Sequence, residues 1–145
     1  MKQGLVASSS VRIAAPREAV WAALVDPALI RRYMFGTEVV STWQPGSAIV
    51  WKGSWKGKAY EDHGVILHLE PRRTLQYSHF SPLAGLPDSP ENYHRVTIEL
   101  EDDGDQTRVS LAQEGNRTAE ERAHSQENWR SMLVAMKDLL EHKGP

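Results

Sequence analysis

The chain predicts a two-layer α+β domain: a twisted antiparallel sheet of about seven strands against one long C-terminal helix, with two short helices after the first strand. Two observations carry this reading. Only Thr118 to about His142 keeps an apolar period of 3.6 over any length, whereas from Gly36 to Gln113 the period is two, cut at short intervals by turn residues. Strands joined by short turns pair antiparallel, and a sheet with one apolar face needs an amphipathic helix to cover it.

Leu5 to Ala14 is the first strand, Val11 and Ile13 alternating with Arg12. Pro16 opens a short helix to Val25, since an N–H missing from the first turn leaves no bond unmade. Asp26-Pro27 breaks it, and Ala28 to Tyr33 makes another helical turn. Thr37–Trp43 and Ser47–Trp55 are strands around Gln44-Pro45-Gly46, with Ile49, Trp51 and Trp55 on one face. Lys56-Gly57 turns the chain into Lys58–Glu70, whose inward face is set by Val65, Leu67 and Leu69. After Pro71-Arg72-Arg73, Thr74–Phe80 carries Leu75, Tyr77 and His79 inward. Ser81 to Glu91 is a proline-rich loop holding Leu83 and Leu86. Asn92–Glu101 presents Val96, Ile98 and Leu100; the turn at 102–105 leads into Thr107–Gln113, which presents Val109 and Leu111.

The last helix has its stripe in Trp129, Met132, Leu133, Met136, Leu139 and Leu140. Thr118 and Glu121 form a capping-box start, and Lys143 and Gly144 suit the C-terminal end. About 24 residues of helix reach roughly 36 Å, enough to cross a small sheet.

At 145 residues the chain reads as one domain, residues 1–145, large enough to fold without staples. It has no cysteine, which excludes disulfides and thiolate chemistry. A net charge of -2 with mixed signs implies no nucleic-acid surface, and no apolar run approaches a membrane span or a signal peptide's core. The expectation is a soluble cytoplasmic protein.

Several stretches carry a family resemblance. They are Val11 to Trp21 with Leu24 and Asp26-Pro27, Gly64-Val65-Ile66-Leu67 through Glu70-Pro71, the loop Ser81 to Asp88 continuing to Tyr93, and Asn128-Trp129 followed by Leu133 and Leu139-Leu140. In their order and spacing the chain resembles the SRPBCC superfamily, with its START or Bet v 1-like helix-grip fold. Within it, the chain is similar to homologues of the heat shock protein 90 ATPase activator, which ties it to stress response. The resemblance implies a curved sheet wrapped around the C-terminal helix, commonly with a ligand cavity between them. In the activator it implies chaperone binding with help from a second domain. The 145 residues leave no room for that domain, which counts against a cochaperone role. The fold itself hosts carriers, cyclases, hydrolases and chaperone partners alike.

Period-two counting gives the side chains that would face such a cavity. Glu61 and His63 follow from Val65, Leu67 and Leu69; His79 follows from Leu75 and Tyr77; His94 and Asn92 follow from Val96 and Ile98. Trp51 and Trp55 join from the neighbouring strand, and Trp129, Met132 and Met136 from the helix. The candidate site is thus an aromatic and Met-lined pocket with a polar end. Its plainer alternative is packed core with a solvated rim. The three histidines lack the tight spacing of a metal site, so neither metal nor cofactor is expected. Glu61 and His63 share a face with His79 and would suit acid–base work of a cyclase or hydrolase kind, but no nucleophile motif accompanies them. The reading that results is binding of an apolar or aromatic small molecule, with catalysis left open. A chaperone-related interaction through loop 81–91, where Leu83 and Leu86 act as lid or partner patch, is the other alternative. A homodimer through a sheet edge or that loop is compatible with the sequence.

Overall fold

The structure, a computed structural model, describes residues 5–55, 57–82 and 85–141, with Trp55 described by its backbone alone. In chain order the elements are β1 (Leu5–Ile13), α1 (Arg17–Val25), α2 (Pro27–Tyr33), β2 (Glu38–Ser41), β3 (Ala48–Trp55), β4 (Lys58–Glu70), β5 (Thr74–His79), β6 (His94–Asp103), β7 (Gln106–Asn116) and α3 (Ala119–Glu141). They form the expected α+β helix-grip arrangement. The seven strands lie in the order β1-β7-β6-β5-β4-β3-β2, every neighbouring pair antiparallel. Successive hairpins build β2 to β7, and β1 joins the outer edge of β7, while α1 and α2 carry the chain from one edge of the sheet to the other. The expected helix-end residues His142 to Gly144 lie outside the described residues.

Helix α3 buries Met132, Leu133, Met136 and Leu140 in one core with Ile13, Ile66, Leu75, Val96, Ile98 and Leu111 of the sheet. Val20, Leu24, Ile30 and Tyr33 of α1 and α2 extend that core at one end. Polar groups inside it are matched. The Tyr33 hydroxyl donates to the Ala23 carbonyl at 2.7 Å, and burial raises its pKa, so it stays a donor. Asn116, wholly buried, donates to the carbonyls of Leu5 and Gln113 and accepts from the Ser125 hydroxyl, pinning β1, β7 and α3 together. Thr118 caps α3 by accepting from the Glu121 N–H at 3.0 Å.

Both ends of α2 are closed by hydrogen bonds. Asp26 caps the first, its side chain accepting from the Ala28 N–H at 2.9 Å. At the other end the Gly36 N–H bonds the Arg31 carbonyl at 3.0 Å, which makes a Schellman closure. It places Phe35 at φ 56° and Gly36 at φ 87°. For a residue with a Cβ that left-handed conformation costs roughly 1–2 kcal/mol.

Strand β4 departs from simple alternation. Ile66 pairs with Tyr77 and His68 with Gln76, so Leu67 is an extra residue, a β-bulge. Ile66 is therefore the buried residue, while Val65 and Leu67 are 39% and 44% exposed. The expectation that Val65 and Leu67 face the helix is corrected here; only Leu69, beyond the bulge, packs on the core. Close to the bulge the two strands press together. A Cβ on Gly64 would lie 1.7 Å from the Ser78 carbonyl oxygen, so the chain at that point has room for no side chain. The substitution Gly64→Ala is expected to destabilise the fold by about 1–3 kcal/mol, the range for overpacking. Urea unfolding with an unchanged midpoint and slope would contradict that close approach.

Candidate functional site

Beyond the bulge the inner face of the sheet turns polar toward the N-terminal half of α3. Trp51 of β3 lies opposite Asp62 of β4, and His79 of β5 opposite His94 of β6. Between these strands, α3 and the α2–β2 connection opens a pocket of about 330 Å³. Met34, Phe35 and Thr37 of the α2–β2 connection line it together with Tyr60, His79, His94 and Gln113 of the sheet and Ser125, Asn128, Trp129 and Met132 of the helix. A second, wider lobe of about 620 Å³ shares Phe35, Tyr60 and Asn128 with it and reaches Asp62, Ser81, His124 and Ser131. The two make one open cleft.

The polar groups are organised in pairs. Asp62, largely buried, meets Nε2 of His79 at 2.9 Å through one carboxylate oxygen. Its other oxygen is buried with no hydrogen-bond partner among the described residues. A carboxylate only accepts, so neutral His79 carries its proton on Nε2 and leaves Nδ1 as an acceptor. His79 makes no other hydrogen bond among the described residues, and its ring stands edge-on to Trp51 at 5.0 Å. The His94 ring centre is 6.4 Å from that of His79, and its Nε2 lies 3.5 Å from the Glu121 carboxylate. Burial, then the neighbouring His79, lowers the His94 pKa below the usual histidine value, against the opposing pull of Glu121. Trp129 donates its indole N–H to the Gln113 side chain, and the hydroxyls of Tyr60 and Thr37 meet at 2.7 Å.

Of the residues expected from the sequence, His79, His94, Trp129 and Met132 line the cleft. Trp51 and Tyr77 lie beneath it, ring centres 5.1 Å apart, around a void of only about 30 Å³. Met136 is wholly within the core, and the Trp55 side chain lies outside the described residues. Glu61 and His63 are corrected: Glu61 is exposed, and His63 lies on the opposite, outer face of the sheet. The bulge at Leu67 inverts the count, so Asp62 takes the inward place assigned to them. Asn92 is also displaced. It belongs to a short 3-10 helix, Pro90–Asn92, and its side chain bonds Pro87, Ser89 and Arg117.

His63 instead helps clasp the loop after β5. It packs on Phe80 and Tyr93, and its Nε2 meets Asp88 at 3.0 Å. The Tyr93 hydroxyl donates to Asp88 at 2.6 Å, which pushes the tyrosine pKa up to about 12. The described part of this loop is thus tied to the outer face; Leu86 is half-buried and Leu83 lies outside the described residues. Three histidines do not converge, and among the described residues no group of three or more His, Asp or Glu is placed to hold a metal ion. No helix among the described residues is long and apolar enough to cross a membrane. Asp62, Tyr60, Phe35, Gln113 and Asn128 were not legible as site residues. For Asp62 the signal was hidden by the bulge. For Phe35 it was present, as an aromatic directly before glycine at a helix end.

A curved antiparallel sheet gripping a long helix, with a cleft at the open end of the grip, defines an SRPBCC-type domain. The model of the family described as Activator of Hsp90 ATPase homolog 1-like protein matches residues 14–141, and the chain belongs to that family. It is similar to a protein of Cytophaga hutchinsonii known from its solution structure, at 55% identity over 99% of this chain and 98% of that one, with a TM-score of 0.86. The Aha1 dimer from Colwellia psychrerythraea shares the fold at 21% identity and a TM-score of 0.74, covering 94% of this chain and 96% of that one. So does CalU16 from Micromonospora echinospora, at 20% identity and 0.73, over 96% of this chain and 85% of that one. No curated protein matches the chain.

The lowered His94 pKa has a definite sign. The folded state binds that proton less readily than the unfolded chain, so the His94 contribution to stability is full above pH 6.5, the ordinary value, and is lost as pH drops below it. His94→Gln is expected to flatten the fall in melting temperature between about pH 6.5 and 5. Parallel profiles for the two proteins would remove His94 as the cause.

Proposed function

We propose that residues 1–145 act as one ligand-binding domain that holds an apolar or aromatic small molecule in the cleft beneath α3. The observation that carries this is the pairing of apolar helix residues, Trp129 and Met132, with the oriented imidazole of His79 across a pocket of about 330 Å³. That volume lies within the range of small-molecule sites, ~300–1,000 Å³. Apolar walls supply affinity by burial, and a few fixed polar groups select orientation. Membership of a family whose fold commonly binds ligands supports the same reading. A cytoplasmic setting goes with a chain that has no cysteine.

Two other readings have specific support. The Asp62–His79 pair is the arrangement of a general base, with Nδ1 free to take a proton from a bound molecule. This favours proton transfer over the Glu61/His63 chemistry, whose members the sheet keeps on its other side. Self-association is supported by the dimeric Colwellia relative and by Val40, Val65 and Leu67 on the outer face of β2 and β4. A chaperone partner rests on the family's description alone.

N-phenyl-1-naphthylamine, a neutral fluorescent probe of apolar sites, is expected to bind saturably and to quench tryptophan emission. Met132→Trp fills the pocket from α3 and is expected to weaken that binding at least tenfold, while unfolding stays cooperative. Full affinity in a folded Met132→Trp protein, or no saturable signal in the wild type, would rule this pocket out.

A further inference from the structure

Among the large apolar side chains of the described residues that stand exposed, Phe35 is the extreme, at 74%. Among the described residues it is also one of three non-glycine residues in the left-handed conformation, with Trp43 and Arg72. The other two have a local reason to be there. Trp43 packs its indole against the core, and the charged side chain of Arg72 is at home in water. Phe35 has neither. It occupies the position of the α2 Schellman closure where glycine is usual, and its ring lies open to solvent. Glycine there would relieve the backbone and remove an exposed ring together, so nothing in the fold itself accounts for phenylalanine. What the position does have is the cleft: Phe35 lines both lobes.

Resting on the ligand-binding function, we propose that Phe35 is the aromatic cover of the cleft and that its ligand is a planar aromatic bearing a hydrogen-bond donor. The ring lies between Phe35 and Trp129, and the donor meets Nδ1 of His79. Three aromatic surfaces, from Phe35, Tyr60 and Trp129, line the same pocket, and rings pair best with rings in offset or edge-on contact. Met132 adapts to the outline of whatever lies beneath. The acceptor follows from Asp62, which holds the His79 proton on Nε2. The described residues lining the two lobes include no lysine or arginine, while Asp62 and Glu121 stand at the polar end, so the molecule is neutral or cationic and not an anion. An aromatic alcohol or amine meets all of these conditions.

The test compares 2-naphthol with 2-methoxynaphthalene, which has the same rings and no donor, by calorimetry on the full chain. Wild type is expected to favour 2-naphthol by about tenfold, in keeping with one added hydrogen bond. Phe35→Gly is expected to melt about 3 °C higher and to bind 2-naphthol about tenfold more weakly, a division that a purely structural residue would not show. Phe35→Leu, which keeps bulk without a ring, is expected to lose affinity as well, and it carries the test should the glycine variant not fold. Unchanged 2-naphthol affinity in either folded variant overturns the cover. Equal affinity for the two naphthalenes overturns the donor. If either result appears while Met132→Trp still blocks N-phenyl-1-naphthylamine, the ligand-binding reading stands and only this inference fails. No binding of any probe to wild type ends both.

Discussion

Side chains alternate along a strand, so a single inserted residue reverses everything on one side of it. The bulge at Leu67 does this to β4. On its C-terminal side Leu69 faces α3; on its N-terminal side Ile66, Gly64, Asp62 and Tyr60 take the inner positions, leaving Val65, His63 and Glu61 outside. Gly64 belongs to the same device, since the bare backbone there lets β5 approach closely enough for His63 and Phe80 to bridge. The polar end of the cleft and the clasp on the outer face are therefore two results of one insertion. Without it Asp62 would point to solvent and His79 would lose the group that fixes its proton.

A largely buried carboxylate is retained only where something compensates it. Asp62 has one partner, His79, and one buried oxygen without a partner among the described residues. Compact hydrophobic packing of the same volume would serve stability at least as well. The pair makes better sense as a means of orienting an imidazole: Nε2 is engaged, Trp51 stands edge-on to the ring, and the ring lines the cleft with no hydrogen-bond partner on Nδ1 among the described residues. His94, with its lowered pKa, tends to the neutral form beside it, so the two imidazoles do not compete as charges.

Most of the architecture was legible because it rests on periodicity that survives in one dimension. The stripe of α3, the alternation in β5, β6 and β7, and the turn residues between strands all specify faces directly, and His79, His94, Trp129 and Met132 came out in place for that reason. Depth was less legible. Trp51, Tyr77 and Met136 face inward as expected, yet they fill the core below the cleft, and a sequence does not distinguish a side chain that lines a space from one that closes it. The bulge was not legible at all. Val65, Leu67 and Leu69 make an alternating apolar set, and the pattern holds only if each pairs in simple register. Two of the three are instead apolar residues on an outer face, so the correct count, from Leu69 through the insertion to Asp62, required the pairing itself.

Thr118 and Glu121 show how the start of a helix can serve folding and site together. In a complete capping box the two side chains satisfy each other's backbone N–H groups. Here Thr118 accepts from the Glu121 N–H, while the Glu121 carboxylate stands near His94. The cap is thus anchored on one side to the helix and on the other to β6. One turn on, Ser125 bonds Asn116 at the end of β7, and a further turn on Trp129 donates to Gln113 of the same strand. This half of α3 is held to the sheet by a row of polar contacts, while the other half packs Leu133, Met136 and Leu140 into the core and is tied near β1 by Lys137 on the Arg12 carbonyl and Glu141 on the Ala14 N–H. Polar contacts fix position and angle more narrowly than apolar packing does. The helix is consequently registered against the sheet at both ends, and the row at the cleft end sets Trp129 and Met132 across from the two histidines.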